Sequence, residues 1–313
     1  MQRTLLAAAL LVLLALDPAR AEEGGTGHYT PGSNASFIDA LPGKQGLAIA
    51  DFFLYYPASA GTRLPLAGLI SVSLDAKVYA DSIVAVYQTP LQLLGGSYAF
   101  GGVVSAIWTD VSGTLAVGNG TRSSSDFLSG LGDLLLYPFM LGWKSLDGDL
   151  KYDFRLGIYA PTGKYEAGSI VNLGKNYWTF EPTFTASWLS SRIGLEASAY
   201  AAFDFNTRNQ ATDYLTGDQF HVDATLAEHL PLLGGSIGVG ASAFYYQQVT
   251  ADSGSGAVLG DFKGRTIGVG PVVSYAMQIG SVQGAVEVKW LPELEVKNRL
   301  KGDHFWIKVG AVF

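Results

Sequence analysis

The chain has 313 residues, with 20 Lys and Arg against 27 Asp and Glu, and its 15% of charged residues sit beside 39 Gly, 16 Tyr, 16 Phe and 6 Trp. The mild acidity and the lack of any basic cluster exclude a nucleic-acid footprint. Zero cysteines exclude disulfides, thiol catalysis and thiolate-bound zinc or iron–sulfur sites.

Arg3, an apolar run from Leu5 to Leu16 and the A-x-A site Ala19-Arg20-Ala21 form a secretory signal over residues 1–21, cut near Ala21 and too short for a membrane span. Cleavage removes Arg3, Arg20 and Asp17, leaving 18 basic against 26 acidic residues, a net charge of −8. No later stretch offers 18 apolar residues, so no transmembrane helix is expected, although mean hydropathy is positive. The apolar surface must be distributed over strands.

Residues 22–46, EEGGTGHYTPGSNASFIDALPGKQG, lack strand alternation, and Phe37-Ile38-Asp39-Ala40-Leu41 is too apolar for a free linker. They are expected to form an N-terminal periplasmic or plug-like segment. From residue 47 to 313, stretches of alternating apolar and polar residues recur between Gly-, Asn-, Asp- and Ser-rich connections.

The alternation predicts strands near 47–56, 69–87, 98–115, 131–141, 150–160, 177–189, 193–206, 218–229, 236–249, 265–278, 282–290 and 305–313. In ISVSLDAKVYAD, the apolar Ile70, Val72, Leu74, Ala76, Val78 and Ala80 oppose Asp75, Lys77, Tyr79 and Asp81. Likewise Tyr152, Phe154 and Ile158 oppose Asp153, Arg155 and Tyr159, and Phe180 and Phe184 oppose Glu181 and Thr185.

Tight connections at 190–192 and 279–281 alternate with long ones at 161–176, 207–217, 250–264 and 291–304. An even strand count with alternating short and long connections predicts an all-β, outer-membrane antiparallel barrel of about twelve strands, embedded in outer-membrane lipid. A soluble sandwich also alternates, but its solvent face should be rich in Lys and Glu, whereas here one face is nearly all apolar. Trp178 and Trp188 stand ten residues apart on the apolar face of one strand, about 23 Å along the membrane normal at a tilt near 45°. That matches two aromatic girdles flanking an apolar band about 25 Å tall.

Taking each apolar face as the lipid face sends the charged parity inward. The lumen is then lined by Asp51, Asp75, Lys77, Asp81, Lys151, Asp153 and Arg155, continuing with Glu181, Glu196, Asp204, Asp223, Glu287, Lys289 and Lys308. Tyr79, Tyr159, Tyr177, Tyr200, Phe244, Tyr246 and Trp306 add aromatic area on the same parity. Mixed charges pairing across such a lumen predict a narrow interior, and the aromatic admixture suits a small solute with an apolar face.

Signals for catalysis are thin. Gly234-Gly235-Ser236-Ile237-Gly238 matches G-x-S-x-G, but Ser236 opens a strand where the nucleophile elbow needs a helix. Gly238-Val239-Gly240-Ala241-Ser242-Ala243 resembles a dinucleotide fingerprint by letter only, since no helix follows. His221 with Asp223 and Ser198 shares the inward parity as a remote hydrolase alternative. His28, His221, His229 and His304 lack histidine partners at i+2 or i+4, so no metal site is expected. No cofactor is implied.

FWIKVGAVF closes the sequence with Phe305, Ile307, Val309, Ala311 and Phe313 on one parity, an outward stripe on a strand that must pair with the first, since open edges do not survive in lipid. Phe313 resembles the terminal signal read by the outer-membrane assembly machinery. Deleting Phe313 is expected to lower insertion yield; an unchanged amount of heat-modifiable barrel in the membrane fraction would contradict this.

The stretches GHYTPGSNASFIDALP, LGGSYAFG, GLGDLLLYPFMLGW and above all APTGKYEAGSIVNLGKNYWTFEPT resemble the bacterial family named for involvement in the meta-pathway of phenol degradation. The resemblance implies an exported barrel linked to uptake of small aromatic or other hydrophobic compounds, as the long-chain fatty-acid channel serves its substrates. It further implies that Asn172, Gly174, Asn176, Tyr177 and Trp178 shape an external loop and strand entrance. The expected function is a passive outer-membrane channel and not an enzyme; the alternative is a structural or sensory barrel that transports nothing.

Overall fold

The computed structural model describes residues 25–60, 65–66, 69–117, 120–169, 171–257 and 263–313. The signal segment 1–21 lies outside the described residues. Fourteen strands follow in chain order: β1 (Gly46–Ala60), β2 (Pro65–Leu66), β3 (Leu69–Leu93), β4 (Gly96–Val117), β5 (Gly120–Leu131), β6 (Leu134–Lys144) and β7 (Leu150–Ala160). The second half contributes β8 (Thr179–Leu189), β9 (Leu195–Asn206), β10 (Gln219–Leu232), β11 (Gly235–Gln248), β12 (Arg265–Ile279), β13 (Val282–Lys297) and β14 (Lys301–Val312).

Twelve of them close an antiparallel ring, in which β1 pairs with β14 on one side and β3 on the other, through Ile49↔Ala311 and Ile49↔Ala85. All twelve expected strands are present. The addition is β5, which pairs with the outer half of β4 (Trp108↔Ser129) while β6 takes the inner half (Val103↔Leu135). Its TRSSSDFLSG sequence alternates too weakly to read as a strand. The two-residue β2 lies on the end of β3.

One end of the barrel carries the tight turns. Leu94-Gly95 and Leu233-Gly234 each place two successive residues at positive φ (50° and 75°, 49° and 79°), the backbone of a two-residue type I′ hairpin, whose twist matches that of the flanking strands. The other end carries the longer loops. The expected long connection 291–304 is instead mostly strand: β13 runs to Lys297 and β14 starts at Lys301.

Outward residues form an apolar band with aromatic edges. Trp178 and Trp188 both face outward at 44% and 36% exposure, and Tyr55, Tyr79, Phe305 and Trp290 form a stacked row at the level of the outer rim. Tyr87 and Phe100 meet edge to face eight residues further along β3 and β4, about 19 Å lower at a tilt near 45°. Such a band between two girdles is the surface of a membrane-spanning barrel.

The orientation of β1 and β3 corrects the expectation. Leu54, Leu74 and Ala76 are buried at 4% each, whereas Tyr79 and Ile83 are exposed, so Asp51, Asp75, Lys77, Tyr79 and Asp81 face outward, and the aliphatic row faces the lumen. Asp75 and Lys77 lie beyond Tyr79, above the outer girdle, where water meets them. Asp51 and Asp81 do lie within the band, beside Ile83 and Phe53. Carboxylates on a lipid face are destabilising, by less than the ~2–4 kcal/mol of a basic residue at mid-membrane. Asp51→Leu is therefore expected to stabilise the barrel by about 1 kcal/mol in urea unfolding from lipid vesicles; a lower midpoint would contradict the outward assignment.

Candidate functional site

Inside the ring, two walls of different chemistry face each other. Strands β7 to β10, β13 and β14 present the polar parity expected from the sequence, and there Asp153, Arg155, Glu181, Glu196, Tyr200, Asp223, Glu287, Lys289 and Lys308 are all buried inward. Tyr177, Phe244, Tyr246 and Trp306 are buried beside them. Tyr159 and Lys151 are also on the inward parity, half-buried.

These side chains are engaged with residues 28–39. The Tyr29 hydroxyl donates to Asp223, and the backbone N–H groups of Gly32 and Asn34 donate to the same carboxylate at 3.2 and 2.9 Å. Phe37 N–H donates to Glu196 Oε1 at 2.8 Å, and the Phe37 ring meets His229 edge to face. Trp306 Nε1 donates to Pro31 O at 3.0 Å, and Lys289 Nζ to Asn34 O at 2.9 Å. Asp39 is held twice: its carboxylate accepts from Lys308 at 3.0 Å and its carbonyl from Arg155 at 3.0 Å.

The remaining inward charges pair locally. Asp153 takes two hydrogen bonds from Arg155, at 2.7 and 2.9 Å, and Glu287 lies 3.1 Å from Lys289 and 3.3 Å from Lys308. Buried charge is tolerated only when paired and hydrogen-bonded, and here the inward charges pair with barrel neighbours and with the segment. Residues 28–39 thus occupy the space in front of the polar wall.

At its start, His28 bridges β8 and the β5–β6 corner. Nδ1 lies 2.7 Å from Thr179 Oγ1, Nε2 lies 2.8 Å from the Asp133 carboxylate, and the ring stacks on Tyr159. Burial pulls the imidazole below its ordinary pKa against the opposing pull of Asp133.

The opposite wall is apolar. Alternate residues of β1, β3 and β4 turn Leu54, Leu74, Ala76, Ala80, Ile107 and Val111 toward the interior. In front of them lies a cavity of about 580 Å³ on the loop side, and one of about 610 Å³ extends toward the tight-turn end past Ala48, Val84, Val86 and Val103. Both are bordered by His28, Tyr29, Tyr159 and Trp306, and by Ser82 and Ser105. The two serine hydroxyls are hydrogen-bonded to each other at 2.8 Å, a polar step in this wall that borders both spaces. The two cavities lie end to end along this apolar wall, beside the segment.

At the loop-side mouth the residues of the sequence motif make local hydrogen bonds. Asn172 clamps Glu166 through hydrogen bonds of 2.7 and 3.1 Å, Gly174 N–H donates to Lys164 O at 3.0 Å, and Asn176, at φ 60°, donates to Asn209 at 2.7 Å. Asn tolerates that left-handed backbone better than most residues. Asn172 and Gly174 border the loop-side cavity, while Trp178 belongs to the girdle.

The triad of the hydrolase alternative does not assemble. His221 meets Asp204, Glu181 and the Tyr29 ring, while the Ser198 hydroxyl bonds Ser187 and Glu196. Ser236 reaches the Leu230 carbonyl at 3.5 Å.

A closed twelve-stranded barrel with an outward apolar band and a partitioned interior has the fold of an outer-membrane channel. The chain belongs to the family described as "Putative MetA-pathway of phenol degradation", whose model matches residues 62–309. Among solved structures, the COG4313 outer membrane channel from Pseudomonas putida F1 is similar over 91% of this chain and 100% of its own, at 16% identity and TM-score 0.61. The β domain of the Bordetella autotransporter BrkA aligns over 86% of this chain and 100% of its own, at 14% identity and TM-score 0.47. No functionally curated protein is similar in sequence.

Proposed function

We propose that the protein is a passive, non-enzymatic uptake channel for small hydrophobic or aromatic solutes of the phenol class, which move along an apolar lane formed by the two cavities. The observation that carries this reading is the aliphatic wall of β1, β3 and β4 fronting two cavities that share lining residues. A pore for ions or sugars gains nothing from such a wall, whereas a solute with an aromatic face gains burial on it, at roughly 25 cal/mol per Å² of apolar area, and a few polar anchors orient it.

Tyr159, Trp306 and Arg155 border the lane and remain the aromatic and polar contacts of choice, with Ser82 and Ser105 as the polar waist. Residues 22–46 act as a plug that narrows the lumen, and Glu181, Glu196, Tyr200, Tyr246, Glu287, Lys289 and Lys308 belong to the wall that holds it. The family's phenol-pathway description and the outer-membrane channel fold support the same assignment. Phe313 remains the proposed assembly signal.

Proteoliposomes give the test. Uptake of a phenolic solute should exceed that of protein-free vesicles of the same lipid, and a sugar of similar mass should lag behind. Equal phenolic uptake with and without protein would leave a structural or sensory barrel as the better reading.

A further inference from the structure

Beneath Tyr29, three inward side chains from three adjacent strands converge: Glu181 on β8, Asp204 on β9 and His221 on β10, all buried at 1% exposure or less. One potential ligand atom from each lies within 4.8 Å of the others. His221 Nε2 stands 3.3 Å from Asp204 Oδ1 and 3.7 Å from Glu181 Oε2. Charge-assisted N–H···O bonds run at about 2.7–2.9 Å, so the Asp204 contact is a long hydrogen bond and the Glu181 separation lies beyond hydrogen-bond reach. They match the edge between two donors on one metal ion: with bonds of about 2.0–2.2 Å, tetrahedral ligand atoms stand roughly 3.4 Å apart.

Unpartnered polar groups cluster at the same place. Asp204 Oδ2, the second oxygen of one carboxylate of the trio, is buried without a hydrogen-bond partner. So are both side-chain atoms of Gln219, a residue 1% exposed that lies directly across from Asp204 in the β9–β10 register. Buried polar groups are nearly always satisfied, and a site that holds an ion is one of the few explanations for a concentration of exceptions. The other Glu181 oxygen is already fixed, accepting from Tyr200 at 2.5 Å, which orients the carboxylate as a supporting hydrogen bond does for a metal ligand.

We propose that Glu181, Asp204 and His221 bind one divalent transition-metal ion. Nitrogen and carboxylate oxygen donors suit zinc or manganese. The ion joins β8, β9 and β10 and neutralises two carboxylates that face one imidazole. The Tyr29 ring, stacked on His221 at 3.7 Å, lies over the site, so the ion also stiffens the seat of the N-terminal segment. A search for histidine pairs along one strand misses this arrangement, because its spacing exists only across strands.

The test uses the mature full-length barrel in detergent, stripped with chelator, then supplied with Zn²⁺ or Mn²⁺ alone and passed through a desalting column before metal analysis. About one ion per chain should be retained by the wild type and by Glu228→Gln, an outward acid on β10. Asp204→Asn and His221→Gln should each lose affinity at least tenfold while still migrating as heat-modifiable barrels. Should either variant fail to fold, zinc-edge X-ray absorption of the wild type decides the matter: an N/O shell containing one imidazole supports the site, and a shell of water oxygens alone overturns it. No retention by the wild type, or equal retention by the two folded variants, also overturns it as an adventitious ion only.

Discussion

Removing residues 25–45 is expected to raise single-channel conductance at least about tenfold while leaving a heat-modifiable barrel. Eight strands enclose a space that side chains alone fill, and sixteen to eighteen leave an aqueous pore; a twelve-stranded ring lies between, so whatever else is in the lumen decides its bore. Here residues 28–39 stand against the polar wall through bonds to Asp223, Glu196, Arg155, Lys289, Trp306 and Lys308. Without them those side chains face water, and ions pass. Planar-bilayer recording of the two forms side by side is the measurement, and indistinguishable conductances would show that the segment does not limit the bore.

Asp223→Ala should be the most damaging single change on the polar wall. That carboxylate accepts from the Tyr29 hydroxyl and from the N–H groups of Gly32 and Asn34, and its loss strands three buried or half-buried donors. Each unsatisfied donor costs about 1–3 kcal/mol, and the donors share one acceptor, so the sum is non-additive and roughly 3–5 kcal/mol is expected. Hydrogen exchange resolves where the loss is felt: amides of residues 28–39 should exchange faster while those of β3 and β4 remain protected. Uniformly faster exchange throughout the barrel would mean that Asp223 supports the ring itself rather than the segment.

The period-2 pattern carries most of the fold. In β7 to β14 one parity is lipid-facing and the other polar, so strand, face and girdle all follow from residues such as Phe154, Trp178 and Trp188. In β1 and β3 the same pattern is present but inverted, since alternation separates two faces without saying which meets lipid. Charge was a poor guide there: Asp75 and Lys77 lie above the membrane, and the lumen they were expected to line is aliphatic. Aromatic spacing is the signal that discriminates. Tyr79 and Tyr87, eight apart on one parity, and Trp108 and Phe100 on β4 mark two girdles on the outward face.

The candidate site was half legible for a related reason. Parity alone turns Glu181, Glu196, Asp223 and Lys308 inward, but their partners lie far along the chain; Asp39 meets Lys308 across 269 positions. Local pattern contains no information on such a contact. The lane itself was invisible because its lining, Leu74, Ala76, Val78 and Ala80, is the same set of residues that a lipid-facing strand uses.

A pair of substitutions on β3 tests most directly the proposed movement of solute along its inward face. Ala80 borders the loop-side cavity, whereas Ala85 faces outward on the opposite parity. Phenolic uptake into proteoliposomes should fall to the protein-free rate with Ala80→Trp and stay at the wild-type rate with Ala85→Trp. Wild-type uptake through Ala80→Trp, in a barrel that is folded and inserted, would contradict the account.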